Sequence, residues 1–286
     1  MPQTRQQQRF KAAFSIRNLR STLTGVALGI SIGSVSVLFA LGKLEDEGGE
    51  HHKRLTPDST RQPREFQQHE ALRYGSPSST NVHVRSGYVV SYDYRTRNAA
   101  WVLEFLTRDS LRVVDDTDRT KSNFTVDATT PEQFRVHPNL FLKSGYDKGH
   151  LAPARDMTNS QAAMNESFIM TNISPQVGVG FNRGYWSRLE GFVRHLAGQF
   201  DGLYVITGPL FLPTQNKKAG EFQVKYSLVG TPPDARDGSF ASAGFILPNR
   251  VISEKKALVD FLTPIDVIEK HAGLLFFDKV RLIFGL

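Results

Sequence analysis

The hydrophobic pattern changes character several times along the chain. Residues 22–42 are uncharged and almost continuously apolar or small. At helical rise they would extend roughly 30 Å, the depth of a bilayer core. Residues 43–68 mix charges with Pro and Gln and show little apolar periodicity, which is the composition of a tether. A folded body is predicted from His69 onward, so the domain should occupy residues 69–286. Residues 84–92 and 101–106 are rich in β-branched and aromatic side chains and read as two strands joined by a polar turn over 93–98. Residues 107–145 are polar and irregular. A short helix then begins at about Ser160, which can cap it, and a strand is predicted over 168–172. Tyr185, Trp186, Leu189, Phe192, Val193 and Leu196 fall on one helical face, predicting an amphipathic helix over 182–198. Strands at 203–207, 222–229 and 244–247 precede a last helix over 263–272, with Gly273 in the stop position. Strands grouped with helices, rather than alternating with them, predict an α+β domain.

Charge modifies this picture at the N-terminus. Residues 1–44 hold Arg5, Arg9, Lys11, Arg17, Arg20 and Lys43 and no acid. Removing these six from the 35 Lys and Arg leaves 29 against 28 acids, so the net +7 describes the leader and not the body. An Arg-rich, acid-free segment over 1–21 followed by an apolar stretch predicts a mitochondrial targeting segment and an inner-membrane anchor, with the body facing the intermembrane space. A secretory signal is the competing reading, with Ala40-Leu41-Gly42 as a passable cleavage site, although the apolar stretch exceeds the usual signal core. Within the body, cations cluster over 135–195, a pattern suited to phosphates. The chain has no cysteine, which excludes disulfides, thiolate catalysis and Cys-bound zinc or iron–sulfur centres.

The candidate chemistry lies in Asp147-Lys148-Gly149-His150 and, thirty-two residues after the histidine, Asn182. A histidine can activate water, a lysine can meet phosphate charge, and an amide oxygen can hold a hard divalent cation that keeps most of its hydration. His150 is the best base candidate, since the other histidines lack a comparable setting. Asn182 would otherwise be a helix N-cap. Glu190 lies two turns on, able to act through a metal-bound water or simply to pair with Arg194 at i+4. Asn172 could orient His150 or a phosphate, or end a strand with a hydrogen bond. Arg119 could reach the scissile phosphate from the long loop, or be solvated. Asp115, Asp116 and Asp118 lack the spacing and glycine of a calcium loop and read as a solvated turn.

Three segments together resemble the DNA/RNA non-specific endonuclease family, and most closely its mitochondrial endonuclease G branch. They are Tyr146-Asp147-Lys148-Gly149-His150-Leu151-Ala152-Pro153-Ala154, Thr171-Asn172-Ile173-Ser174-Pro175-Gln176 and Phe181-Asn182-Arg183-Gly184-Tyr185-Trp186-Ser187-Arg188-Leu189-Glu190. The likeness extends, in order, over roughly residues 69–282. It implies a ββα-metal (His-Me finger) nuclease with a central, mainly antiparallel sheet flanked by helices. It further implies His150 as general base, Asn182 as the one direct protein ligand of Mg²⁺ or Mn²⁺, and Glu190 on a metal-bound water. Lys148, Arg119 and Asn172 would then support phosphate and transition-state charge. DNA and RNA, single- or double-stranded, would be cut to 5′-phosphates, and the protein would form a homodimer anchored through residues 22–42. Two departures stand out. Lys148 occupies the position where the family usually has Arg, keeping the charge but losing the two-pronged grip on phosphate. Residues 230–244 also diverge from the usual strand entry. The competing reading is a catalytically weak nuclease-fold protein that binds nucleic acid, which Lys148 favours; a small-molecule phosphodiesterase on the same framework is a third.

Overall fold

The computed structural model describes residues 69–213, 222–231 and 242–277. The expected targeting segment (1–21), membrane span (22–42) and tether (43–68) lie outside the described residues, as does most of the divergent 230–244 stretch. Among the described residues no helix is long and apolar enough to cross a membrane.

Seven strands form one antiparallel sheet in the order β1-β2-β3-β6-β7-β8-β9, and two more form a separate antiparallel pair, β4-β5. The large sheet comprises β1 (Val82–Val84), β2 (Tyr88–Asp93), β3 (Asn98–Leu106), β6 (Leu203–Pro213), β7 (Phe222–Thr231), β8 (Ala243–Pro248) and β9 (Leu262–Thr263). The pair comprises β4 (Tyr146–His150) and β5 (Ile173–Val177). Helices α1 (Gln161–Ser167), α2 (Ser187–Ala197) and α3 (Ile265–Ala272) complete the α+β architecture.

The central strands lack hydrophobic–polar alternation because both sheet faces are covered. Tyr88 and Val90 of β2, Val102 and Leu106 of β3 and Val205 of β6 pack with Trp186, Leu189 and Val193 beneath α2. Val89, Trp101, Leu103, Tyr204 and Ile206 point the other way, onto Ile268 of α3 and the segment holding Phe276 and Phe277. Gly273, at φ +67, ends α3 as its position in the sequence predicts.

Three elements differ from their sequence reading. The 84–92 strand is two strands, because Ser86-Gly87 turns the chain and the Arg85 N–H donates to the Tyr88 carbonyl (2.9 Å). The 168–172 strand is a turn. Phe168 closes α1, Met170–Asn172 form a 3₁₀ turn, and the strand starts only at Ile173. The predicted 182–198 helix is regular only from Ser187. Before it, Gly178–Trp186 is a kinked helical segment in which Gly180 takes φ +83.

The β4–β5 pair is fastened to the large sheet by buried polar groups. Asn98 Nδ2 donates to Ser174 Oγ (2.9 Å), which also bonds the Tyr226 hydroxyl (3.0 Å), and that hydroxyl donates to the Pro175 carbonyl (2.6 Å). At the far end Asn249 accepts from the Val177 N–H (2.8 Å) and donates to the Pro175 carbonyl (3.0 Å). Gly149 is required within this pair, since a Cβ there would stand 2.2 Å from the buried Gln176 side chain. Gly149→Ala is therefore expected to cost about 1–3 kcal/mol by overpacking. Chemical denaturation should show a lower midpoint with an unchanged slope.

Candidate active site

Two antiparallel strands and the helix that follows them converge on one cleft of about 560 Å³, lined among others by Arg119, Lys148, His150, Asn182, Glu190 and Arg194. Five of the six sequence-predicted site residues therefore meet in one place. Asn172 is the exception.

His150 is the last residue of β4, paired across the ladder with Ile173. The rings of Phe168 (4.7 Å, edge-on) and Phe124 (5.6 Å) flank its imidazole, leaving the residue 8% exposed. Its Nε2 is buried and has no hydrogen-bond partner in the protein. Burial first, and the Arg119 guanidinium second, push its pKa down to about 3. The ring is therefore neutral across the physiological range, with an unengaged nitrogen, as a proton acceptor must be.

Asn182 sits on the kinked segment and caps no helix. Its Nδ2 donates to Asp147 Oδ2 (3.0 Å), and Arg183 Nε meets the same oxygen at 2.9 Å. Only the N–H₂ end of an amide can donate to a carboxylate, so this contact leaves the Asn182 carbonyl oxygen for the cleft. A free amide oxygen, with Glu190 on the same wall, suits a hard, hydrated dication held by few protein atoms.

Asn172 is completely buried and fully engaged. Its Oδ1 accepts from the Ala152 N–H (2.9 Å), and its Nδ2 donates to the carbonyls of Ala152 (2.9 Å) and Ser167 (2.8 Å). Its own carbonyl accepts from the Leu151 N–H (3.0 Å). The expectation that Asn172 supports phosphate charge is corrected accordingly. It splints the two residues after His150 and thereby holds the end of β4.

The alternative reading of Glu190, as the i+4 partner of Arg194, is not what Arg194 does. Arg194 donates to Asp156 Oδ1 (2.7 Å), a carboxyl that is itself buried. Glu104, 1% exposed on the α2-facing side of β3, completes a group of three acids around one guanidinium, and its Oε1 has no partner. Burial raises all three carboxyls, and neighbouring acids add to the rise of Glu190 and Glu104. Glu190 is pushed up to about 8, by burial and Asp156, against the pull of Arg194, Arg119 and Trp186. Asp156 rises to about 6 through burial, despite Arg194. Glu104 rises well above its ordinary value, by burial, Asp156 and Glu190.

The cations also sort themselves. Arg135 is committed to the carbonyls of Thr130 and Ala128, and Arg188 to those of Glu254 and Lys256. Among the described residues no carboxylate pairs with the cleft-lining Arg119, Lys148 or Arg155. Arg119 lies on a 3₁₀ turn capped by Asp118, whose Oδ1 accepts from the Thr120 N–H (2.8 Å), and rests 5.6 Å from the Phe168 ring. Lys148 Nζ is 5.0 Å from the Phe124 ring and 6.0 Å from Phe141.

Sequence reasoning named Asp147 only within its motif, without its pairing role, and missed Asp156 and Glu104 as parts of the site. Glu104 carried a signal, being an acid between Val102 and Leu106 on the inward side of a strand. Asp147 and Asp156 carried none, because their partners are 35 and 38 residues away.

Comparison with known proteins bears on this geometry. The family model described as DNA/RNA non-specific endonuclease matches residues 67–282. A nuclease of Syncephalastrum racemosum is 43% identical over 228 residues, covering 73% of this chain and 71% of its own. The mitochondrial endonuclease G of Caenorhabditis elegans is 37% identical over 224 residues, covering 74% and 72% respectively. Among solved structures, one from a crystal of the EndoG/EndoGI complex superposes with a TM-score of 0.70 at 35% identity, covering 77% of this chain and 94% of that one.

The raised Glu190 carboxyl has a consequence for stability. In the unfolded chain it ionises near 4.5, whereas the native protein holds its proton to about 8. Between those pH values unfolding releases a proton, so stability falls as pH rises and levels off above the native pKa. Glu190→Gln should flatten that decline and raise the Tm at pH 8 in EDTA. A Tm below that of the parent at pH 8 would contradict a strained carboxylate.

Proposed function

The chain belongs to the DNA/RNA non-specific endonuclease family, in its endonuclease G branch and with the ββα-metal nuclease fold, and we propose that it is a Mg²⁺- or Mn²⁺-dependent endonuclease acting on DNA and RNA with little sequence or sugar selectivity. The observation that carries this reading is an unpartnered, neutral imidazole and an oriented amide oxygen lining one cation-rich cleft.

The roles follow from the chemistry of each group. Asn182 would hold the divalent cation, which when bound would supply Lewis-acid stabilisation of negative charge on the phosphate. The His150 imidazole takes a proton from the attacking water while the water oxygen bonds to phosphorus. The bond from phosphorus to the 3′-oxygen breaks, the 3′-oxygen takes a proton from solvent, and the phosphate stays on the 5′ side. Burial first and Arg119 second disfavour the imidazolium in the free protein, and the negative charge of a bound phosphate offsets the Arg119 part. Arg119 and Lys148 contribute positive charge to the pentavalent phosphate, and Glu190 accepts hydrogen bonds from water in the same cleft. Phe124 and Phe168 keep the imidazole in place and partly dry.

Selectivity is low in this reading because the cations of the cleft meet phosphate, the part of a nucleic acid common to every sequence. The basic, acid-free residues 1–21, together with the name of the nematode relative, support a mitochondrial location. Anchoring through residues 22–42 and assembly as a homodimer belong to the same proposal.

With Mg²⁺ or Mn²⁺, the full chain should degrade both plasmid DNA and RNA, and EDTA should abolish cleavage. His150→Ala should lose about 10²–10⁴-fold in kcat, with Asn182→Ala nearly as impaired. Intact DNA and RNA, together with metal-independent binding, would instead favour the weak, binding-only protein.

A further inference from the structure

One exposed aromatic side chain, Tyr146, lies two residues along β4 from the cleft-lining Lys148. Side chains alternate along β4, so Tyr146, Lys148 and His150 share a face while Asp147 and Gly149 point behind. Across the ladder, Tyr146 faces Val177 and Lys148 faces the exposed Pro175. Tyr146 is 47% exposed. The preceding loop is tied to it: Ser144 Oγ accepts from the Tyr146 N–H (3.1 Å) and donates to the Phe141 carbonyl (2.9 Å). Phe141 in turn lies beside Lys148 Nζ. The loop is folded back through two positive-φ residues, Lys143 (φ 58) and Gly145 (φ 83).

We propose that Tyr146 is a stacking platform for an unpaired nucleobase next to the scissile phosphate, and that it biases the enzyme towards single-stranded or frayed nucleic acid. The inference rests on the nuclease reading above and adds a substrate preference to it. Four strand residues place the Tyr146 Cα about 13 Å from that of His150, with Lys148 midway. A phosphate held between Lys148 and His150 brings the adjoining nucleotide over Tyr146. Charge favours this occupant: Lys148 shares the face of β4 with Tyr146, and the exposed Lys143 lies three residues before it, a pair that suits a phosphate backbone. A base in a duplex must first leave its neighbours, whereas an unpaired base stacks at no such cost. Every base has a π-face, so the platform is compatible with indifference to sequence.

The test compares Tyr146→Ala and Tyr146→Phe in the full chain with Mg²⁺ on three substrates. These are a single-stranded DNA oligonucleotide, the same sequence as a duplex, and a single strand with abasic sites flanking the cleaved bonds. For Tyr146→Ala, kcat/KM on the single strand should fall roughly tenfold, chiefly through KM. Its duplex and abasic activities should stay within about twofold of the parent, and Tyr146→Phe should match the parent throughout. Equal losses of Tyr146→Ala on all three substrates would overturn the platform, as would no loss on the single strand. Failure of the parent to cut any substrate would instead sink the nuclease reading on which it rests.

Discussion

One carboxylate joins the two halves of the site. Asp147, on β4, accepts from both the Asn182 amide and the Arg183 guanidinium on the kinked segment before α2. The strand that carries His150 and the segment that carries Asn182 are thus tied together only a few residues from each functional side chain. The same contact sets the sense of the Asn182 amide, because a carboxylate accepts only from its nitrogen end. Gly178 makes room for it, since a Cβ there would stand 2.6 Å from Arg183 and 2.8 Å from Asp147.

Around this link the charges are layered. The cleft presents unpaired cations from Arg119, Lys148 and Arg155, whereas the wall behind Glu190 holds Glu104 and Asp156 around the single guanidinium of Arg194. Gathering three carboxyls around one cation, two of them buried, is costly, and the cost is expressed as raised pKa values. Such strain is common where a protein holds a carboxylate ready for a partner of opposite charge, and a dication would relieve it here. The opposite perturbation at His150 keeps the imidazole neutral. Acid and base are therefore displaced in opposite directions by one cause, desolvation, within one cleft.

The scaffold explains how so few side chains suffice. A sheet buried on both faces gives β4 and β5 a rigid wall to dock on, through Asn98, Ser174 and Tyr226. Asn172 then fixes the backbone just beyond His150. Rigid backing leaves the front of β4 open, which is where Lys148 and Tyr146 project. Lys148 differs from the arginine usual in the family, yet two aromatic rings flank its ammonium and limit its wandering. It acts as a localised point charge and not as a fork.

Much of this was legible from local chemistry. The apolar stripe of α2, the Ser160 cap on α1, the Gly273 stop of α3 and the clustering of His150 with Lys148 depend on neighbours in sequence, and residue order alone determined them. What the sequence could not express is pairing at a distance. Burial of 168–172 made a turn resemble a strand, because apolar runs look alike whether they extend or curl. The split at Ser86-Gly87 and the kink before Ser187 likewise required the packed neighbours. Asn172 was read as a participant and is a splint, while Asp156, Glu104 and the pairing role of Asp147 were passed over. The sequence by itself determined which side chains could do the chemistry. The tertiary structure alone decided which of them face the cleft, since hydrogen bonding and desolvation depend on contacts that chain order does not contain.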